Sequence, residues 1–334
     1  MFRTFDVLTI GSATQDVFIR SKALEEHADD DSPDGIAACF LMGSKMPIDE
    51  LTFSTGGGAT NAAVTFARRG LRTACLARVG TDSIGEEVLH EMKRENINAR
   101  FVQKDAKRKT AYSIILLSGT GHRAIFTHRG ASDSLDRRAF PWHHWTKKMA
   151  KPRVAKWLYI TSLGGDMAVP KDVFVHAERT RTKIAWNPGN RELAKGLKAL
   201  KPFLAQCEII SLNREEAAVL AGVEPKETKA IFQVLGDLPR TAFLMTDGQR
   251  GAYVRHKGKT LFASALKGKR VNTTGAGDAF GSGFVASWMK HADAKTALAD
   301  AMLNSLGVIT HMGAKAGIPS KPPSAKDRRK VLIR

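Results

Sequence analysis

Val271-Asn272-Thr273-Thr274-Gly275-Ala276-Gly277-Asp278-Ala279-Phe280-Gly281 is the stretch on which fold and chemistry turn. Its small residues let backbone approach a ligand closely, and Phe280, Phe284 and Trp288 follow at four-residue spacing, so the stretch opens a helix. Successive N–H groups of Gly275, Ala276 and Gly277 then face outward with the positive end of the helix dipole behind them, which makes an anion site. Asp278 stands in the first turn beside that anion. The pairing suits a carboxylate that takes a proton from a hydroxyl while the amides stabilise a transferring phosphoryl group. A capped helix start with Asp in its first turn is the plain alternative.

Outward from this loop, several continuous apolar runs each end in a turn signal. They are 7–10 before Gly11-Ser12, 158–160 before Thr161-Ser162, 184–186 before Asn187-Pro188-Gly189, 209–210 before Ser211-Leu212-Asn213, and 243–245 before Thr246-Asp247-Gly248. Unbroken apolar character predicts strands covered on both faces, the mark of a parallel sheet. Helical patterns lie between them, such as Ala59, Ala62, Ala63 and Phe66 stopping at Gly70. Alternating strands and helices predict an α/β fold whose loops converge on one crevice at the carboxyl ends of the strands. Two stretches, about 17–53 and 100–130, break the rhythm. The second reads as a hairpin, with 112–117 and 124–127 flanking Gly119-Thr120-Gly121. The expectation is one domain over 1–318 with two insertions forming a small β lid, followed by a basic tail over 319–334.

The chain has 334 residues, 43% of them hydrophobic, enough for a large core, which excludes disorder and small disulfide scaffolds. Lys and Arg number 52 against 33 Asp and Glu, a net charge of +19 that bears on association rather than fold. Cys39, Cys75 and Cys207 are widely spaced and read as free thiols. No run approaches a membrane span and no signal segment opens the chain, so a soluble, cytoplasmic protein is expected.

The run 274–280 resembles the C-terminal signature of the PfkB, or ribokinase-like, family of sugar and nucleoside kinases. Five further segments are similar to family motifs, in the expected order: Gly11-Ser12-Ala13-Thr14-Gln15-Asp16, Gly56-Gly57-Gly58-Ala59-Thr60-Asn61, Val79-Gly80-Thr81-Asp82-Ser83-Ile84-Gly85, Asn213-Arg214-Glu215-Glu216 and Thr246-Asp247-Gly248-Gln249-Arg250-Gly251. The resemblance covers about residues 5–318 and implies a three-layer α/β/α domain with a mainly parallel sheet. It also implies an ATP-dependent kinase acting on a sugar hydroxyl, with a nucleoside kinase as the alternative. Asp278 would be the base and Gly275, Ala276 and Gly277 the anion hole. Asp16, Gly57, Gly58 and Asn61 would hold the acceptor, whose hydroxyls suit a carboxylate and an amide. Asn213, Thr246, Gly248, Gly251 and Asn304 would serve ATP, with adenine near Asn304 and Gly313-Ala314. Glu216 would face Mg2+ through water. Asn213 and Glu216 are equally a capping box, S/T/D/N followed three residues later by E/Q.

One position departs from the family pattern. Asn272 stands where many members carry Asp beside a monovalent cation, so weak or absent potassium activation is expected. For the acceptor, Phe18, Phe40, Tyr112 and Phe126 offer a lid slot for a base, whereas Lys45, Arg123 and Arg129 offer cations for a sugar phosphate. Both options stay open. The resemblance also admits a homodimer through the lid. Outside enzymes, the rival is a catalytically silent ligand- or polyanion-binding protein on the same fold. Specific nucleic-acid binding is not expected: the basic stretches 137–156 and 321–334 carry no recognition fold and read as solvated charge. Gly281-Ser282-Gly283-Phe284-Val285-Ala286 fits G-x-G-x-x-A but falls inside a helix, so a dinucleotide site is set aside.

Overall fold

In the computed structural model, residues 4–29, 35–39, 42–118, 122–143 and 153–334 are described. Eight strands form the central sheet in the order Lys259–Ser264, Gly251–His256, Ala242–Thr246, Ile209–Asn213, Lys183–Trp186, Ala155–Ile160, Phe5–Ile10 and Thr73–Leu76. The last six run parallel and the first two add antiparallel. Their apolar runs are continuous because both faces are covered. Leu8, Ile10, Leu158 and Ile160 enter one core with Phe174, Leu204 and Leu220, while Val7, Trp157 and Tyr159 enter the opposite core with Phe66, Phe280, Phe284 and Leu298. Side chains alternate across a strand, so a strictly apolar strand needs two cores. The result is a three-layer α/β/α sandwich, as expected.

The hairpin is present as Ala111–Leu117 and Arg123–His128; its turn, 119–121, lies outside the described residues. These strands join Thr14–Arg20 and Glu50–Gly56 in a separate four-stranded sheet that lies over the crevice. The lid is thus wider at its base than 17–53, and only 111–128 of the later stretch belongs to it. Residues Gln103–Asp105 instead pair with Arg78–Gly80. Phe18 is 1% exposed and packs with Ile115 and Leu117 in the lid's own small core, so it is no base-stacking platform. Phe40 lies outside the described residues, as do 30–34 and 144–152.

The basic tail departs from the solvated-charge expectation. Phe262 and Arg334 exchange both backbone hydrogen bonds, Ser264 N–H donates to Leu332 O, and Arg328 forks onto Asp300 at 2.7 and 2.9 Å. Val331 is buried. Trp142, in the other basic stretch, is likewise buried and stacks on His176 at 4.4 Å between ring centroids. Apolar residues hidden among the cations, Val331 and Trp142, outweigh the pull of solvent on their neighbours. Cys75 and Cys207 are buried free thiols and Cys39 an exposed one. Among the described residues, no helix is long and apolar enough to cross a membrane.

Candidate active site

Three of the expected residues meet under the lid. Helix Gly58–Arg68 begins where Gly57 adopts φ +97°, against the carbonyl of Ser12, where a Cβ would sit 2.6 Å from that oxygen. Gly58 N–H donates to Ser12 Oγ at 3.0 Å. This close start aims Asn61 across the crevice, where its Nδ2 donates to Asp278 Oδ2 at 2.9 Å. Asn61 is 3% exposed and its Oδ1 has no partner among the described residues, a buried acceptor in want of a donor. Asp16 accepts from Thr14 Oγ1 at 3.0 Å and from Ser113. Burial raises its carboxyl above the usual range, against those hydrogen bonds and the charge of Lys315.

Asp278 lies in the first turn of helix Ala276–His291, and Gly275 caps that helix at φ +80° against the carbonyl of Ala314. Burial raises the Asp278 carboxyl; the Asn61 hydrogen bond opposes this, Asp16 reinforces it, and Lys315 opposes it. The N–H groups of Gly275 and Gly277 have no protein acceptor among the described residues and line a cavity of about 270 Å³ with Asp278. Ala276 departs from the expected anion hole, because its N–H turns back to Thr273 O at 3.3 Å. Asn272 is buried, with Oδ1 accepting from Thr274 N–H at 3.0 Å and Nδ2 donating to Gly313 O at 3.4 Å. It braces the loop from within.

Asn213 and Glu216 do form the capping box: Asn213 Oδ1 accepts from Glu216 N–H at 2.7 Å, and Glu216 Oε2 accepts from Asn213 N–H at 2.8 Å. Both also line the cavity, so cap and site coincide. Burial raises the Glu216 carboxyl, helped by the charges of Glu215 and Asp278 and opposed by the Asn213 N–H. The crevice continues through Thr246, Thr273 and Gly277 into an apolar hollow of about 240 Å³ lined in part by Gly248, Gly251, Leu266, Phe280 and Leu306.

Asn304 is a correction. It is fully buried, with Nδ2 on Ala279 O and Thr65 Oγ1 and Oδ1 on Arg69, so it ties three helices together and lines neither the cavity beside Asp278 nor the apolar hollow. The face of helix Ala294–Ile309 that lines the hollow carries Met302, Ser305, Leu306 and Ile309. Gly313 and Ala314 pack against Ser54 and Gly275 instead of lining it.

Three residues to which the sequence assigned no role support the site. Lys315 is 4% exposed, with Nζ 2.8 Å from Glu91 and 3.5 Å from Thr60 Oγ1, and its charge reaches both Asp16 and Asp278. Glu192, fully buried, accepts from Gly165 N–H at 2.6 Å and Gly189 N–H at 2.8 Å, clamping two strand-end loops. Arg214 forks onto Asp247 at 2.7 and 2.6 Å beneath the Thr246–Gly248 turn. A lone Lys in a small-residue segment was the only available signal.

A partly buried carboxylate beside unfilled helix N-terminal amides, at the carboxyl end of a parallel sheet and under a lid, has the makings of a phosphotransferase acting on a hydroxyl. Residues 31–321 match the family described as pfkB family carbohydrate kinase. Ribokinase of Schizosaccharomyces pombe is 26% identical over 329 residues, covering 94% of this chain and 95% of that protein. Fructokinase of Klebsiella pneumoniae is 26% identical over 282 residues, 80% and 89% of the two chains. Among solved structures, Arabidopsis thaliana ribokinase complexed with ribose and ATP superposes with a TM-score of 0.74 at 18% identity, over 98% of each chain. The nucleoside kinase of Burkholderia thailandensis in complex with inosine gives 0.71 at 17%, over 94% of this chain and 92% of that one. This chain belongs to the pfkB family of carbohydrate kinases, the sugar and nucleoside phosphotransferases of the ribokinase fold.

Proposed function

We propose that this crevice transfers the γ-phosphoryl group of ATP to a hydroxyl of a sugar, within one catalytic unit spanning 1–318. The carrying observation is the orphaned, buried Asn61 Oδ1 beside Asp278. An acceptor that brings a hydroxyl proton satisfies it, and Asp16 takes a second hydroxyl. Asp278 removes the proton of the reacting hydroxyl, and Gly275 and Gly277 N–H groups receive the charge of the moving phosphoryl group. Gly57 and Gly58 keep the acceptor end free of side chains. Asn213, Thr246, Gly248 and Gly251 flank the phosphates of ATP, and the apolar hollow beside Leu306 takes the adenine.

Glu216 fits a magnesium ion held mainly by phosphates and water: Oε2 is engaged, Oε1 has no protein partner, and no cluster of three ligating side chains stands among the described residues. Such an ion, when bound, neutralises phosphate charge. Asn272 places an amide donor toward Gly313 O where a cation-binding carboxylate would place an acceptor. Turnover is therefore expected to be equal in potassium-free and potassium-containing buffer; a steep potassium requirement overturns this. The nucleoside reading is less favoured because Phe18 is consumed in the lid core. Leu51, Phe53 and Phe126, half-exposed or more on the lid's outer face, suit the homodimer. A coupled ADP-release screen over sugars, sugar phosphates and nucleosides tests the whole reading; no release with any acceptor sinks it.

A pH profile tests the base. The reactive form of Asp278 is deprotonated, so kcat/KM climbs as pH rises through its elevated pKa. Lys315→Met removes a charge that lowers this pKa. The acid limb is expected to move to higher pH in the variant, and an unmoved limb denies the coupling.

A further inference from the structure

The parallel strands start at the end of the sheet remote from the crevice, and cations stand there strand after strand. Arg153 precedes strand Ala155–Ile160, and its guanidinium donates to Lys156 O at 2.9 Å and, across to the next strand, to Arg181 O at 3.1 Å. Lys183 opens that next strand, Lys183–Trp186. Glu208 N–H donates to Ile184 O at 2.7 Å and Arg240 N–H to Cys207 O at 2.8 Å, which carries the line over the starts of two further strands. Beyond Arg240, His256 pairs with Ala242, and Lys257 and Lys259 stand at the tip of the hairpin that joins the last two strands.

Arg153 is half-buried and the other cations of the line are exposed; none pairs with a carboxylate among the described residues. The acidic side chains nearby are already engaged. Glu208 accepts from Thr241 Oγ1 at 2.6 Å, Asp237 accepts from Arg255 at 2.9 and 2.7 Å, and Asp6 faces Lys156 at 2.8 Å and Arg72 at 3.5 Å. Uncompensated cations along one edge repel one another, and a chain of anions relieves that repulsion.

Helix ends do not account for the line. Cations gather at helix C-termini to meet the carbonyls there, yet only Arg181 of this line caps a helix, Ala168–Thr180. Arg181 and Lys257 also adopt φ +52° and +48°, a region that favours glycine or asparagine. A long cation stands at both turns in spite of that preference.

The shape of the line selects its partner. From Arg153 to Lys259 it crosses five strand-to-strand steps of about 4.8 Å, a length of about 24 Å. Sheets twist by about 20–25° per strand, so the line turns through about 100° on the way. A rigid duplex meets only part of such a curve, whereas a flexible phosphodiester chain follows it. None of the exposed large apolar side chains lies at these strand starts, so an anionic bilayer finds nothing to take up by insertion. Trp157, the ring beneath Lys183, is buried, and contact falls on backbone phosphates rather than on bases.

We propose that the base of the sheet binds single-stranded nucleic acid through its phosphates, without regard to sequence. The crevice lies at the other ends of the same strands, about 20 Å away, so this binding is separate from the transfer chemistry and does not rest on the kinase reading.

The test titrates the full chain into labelled oligouridylate and oligothymidylate of about 20 nucleotides and follows fluorescence anisotropy. Micromolar binding of both is expected in about 50 mM salt, weakening by roughly 10²- to 10³-fold at about 200 mM. Log affinity against log salt is expected to slope at about −4. The combined substitution Arg181→Gln, Lys183→Gln, Arg240→Gln, Lys257→Gln is expected to flatten that slope by about 3, close to 0.7 per lost contact. A charge-matched combination outside the line, Lys22→Gln, Lys195→Gln, Lys198→Gln, Lys226→Gln, is expected to leave the slope near its original value. Circular dichroism melts confirm that both variants fold. Equal loss in the two variants overturns the proposal, because net charge and not the line would then carry the binding. Tighter binding to a duplex of the same length overturns the single-strand assignment. Cosedimentation with phosphatidylserine vesicles that is stronger than oligonucleotide binding in the same buffer assigns the base to a membrane surface instead. Absence of binding at the lower salt overturns the proposal outright.

Discussion

Asp278→Asn is expected to lower kcat by about 10²- to 10⁴-fold, the range in which a positioned general base contributes. The substitution keeps the volume of the side chain in the first helical turn, so the fold and the Gly275 and Gly277 amides stay in place. It removes the proton acceptor alone. Nucleotide affinity, which the proposed function assigns to the Thr246–Gly251 turn and the apolar hollow, is expected to be unchanged. Single-turnover kinetics together with a nucleotide titration separates the two quantities. Undiminished turnover would refute the assigned base; lost nucleotide binding would place Asp278 in the wrong half of the crevice.

Arg214→Met is expected to cost about 3 kcal/mol of stability, toward the lower end for breaking a buried ion pair by removing one partner. Arg214 and Asp247 side chains are 6% and 2% exposed, so the variant leaves a buried carboxylate with one guanidinium in place of two. Arg250, on the opposite side, still donates to both Asp247 oxygens at 2.9 and 2.8 Å and limits the loss. Burial works against the Asp247 charge, yet the two guanidiniums outweigh it and hold the carboxyl below its usual range. A depressed native pKa contributes stability that is present above the unfolded value and is lost as pH falls through the folded one. In the variant that acid dependence is expected to shrink. Denaturant titrations at neutral and acid pH measure both effects, and a neutral-pH change below about 1 kcal/mol would deny the pair its role.

The sheet and the crevice-lining loops were legible because their signals are local. A strand covered on both faces must be apolar throughout, and backbone that approaches another backbone must be glycine, as at Gly57 and Gly275. Rotational setting of a long helix is not local: Asn304 sits on a helix rich in small apolar residues, and nothing along the chain tells which side meets the apolar hollow. Tertiary packing chose Ser305 and Leu306 for that side and gave Asn304 to Thr65, Ala279 and Arg69. Lys315 and Glu192 were silent for a related reason. Their partners are Glu91 and the amides of Gly165 and Gly189, and a charged residue reads as solvated until its distant partner is known. The tail misled in the same way, since Val331 and Leu332 are few among the cations and their partner strand lies far back in the chain.

That tail has a consequence for handling the protein and for its behaviour at high concentration. Strand Lys259–Ser264 is the free margin of the large sheet, and an uncovered margin offers unpaired N–H and C=O groups to any other extended chain. The exchange between Phe262 and Arg334, with the Arg334 guanidinium 5.0 Å over the Phe262 ring, occupies part of that row. Residues 332–334 thus occupy part of a margin otherwise open to self-association, and trimming them is expected to expose it.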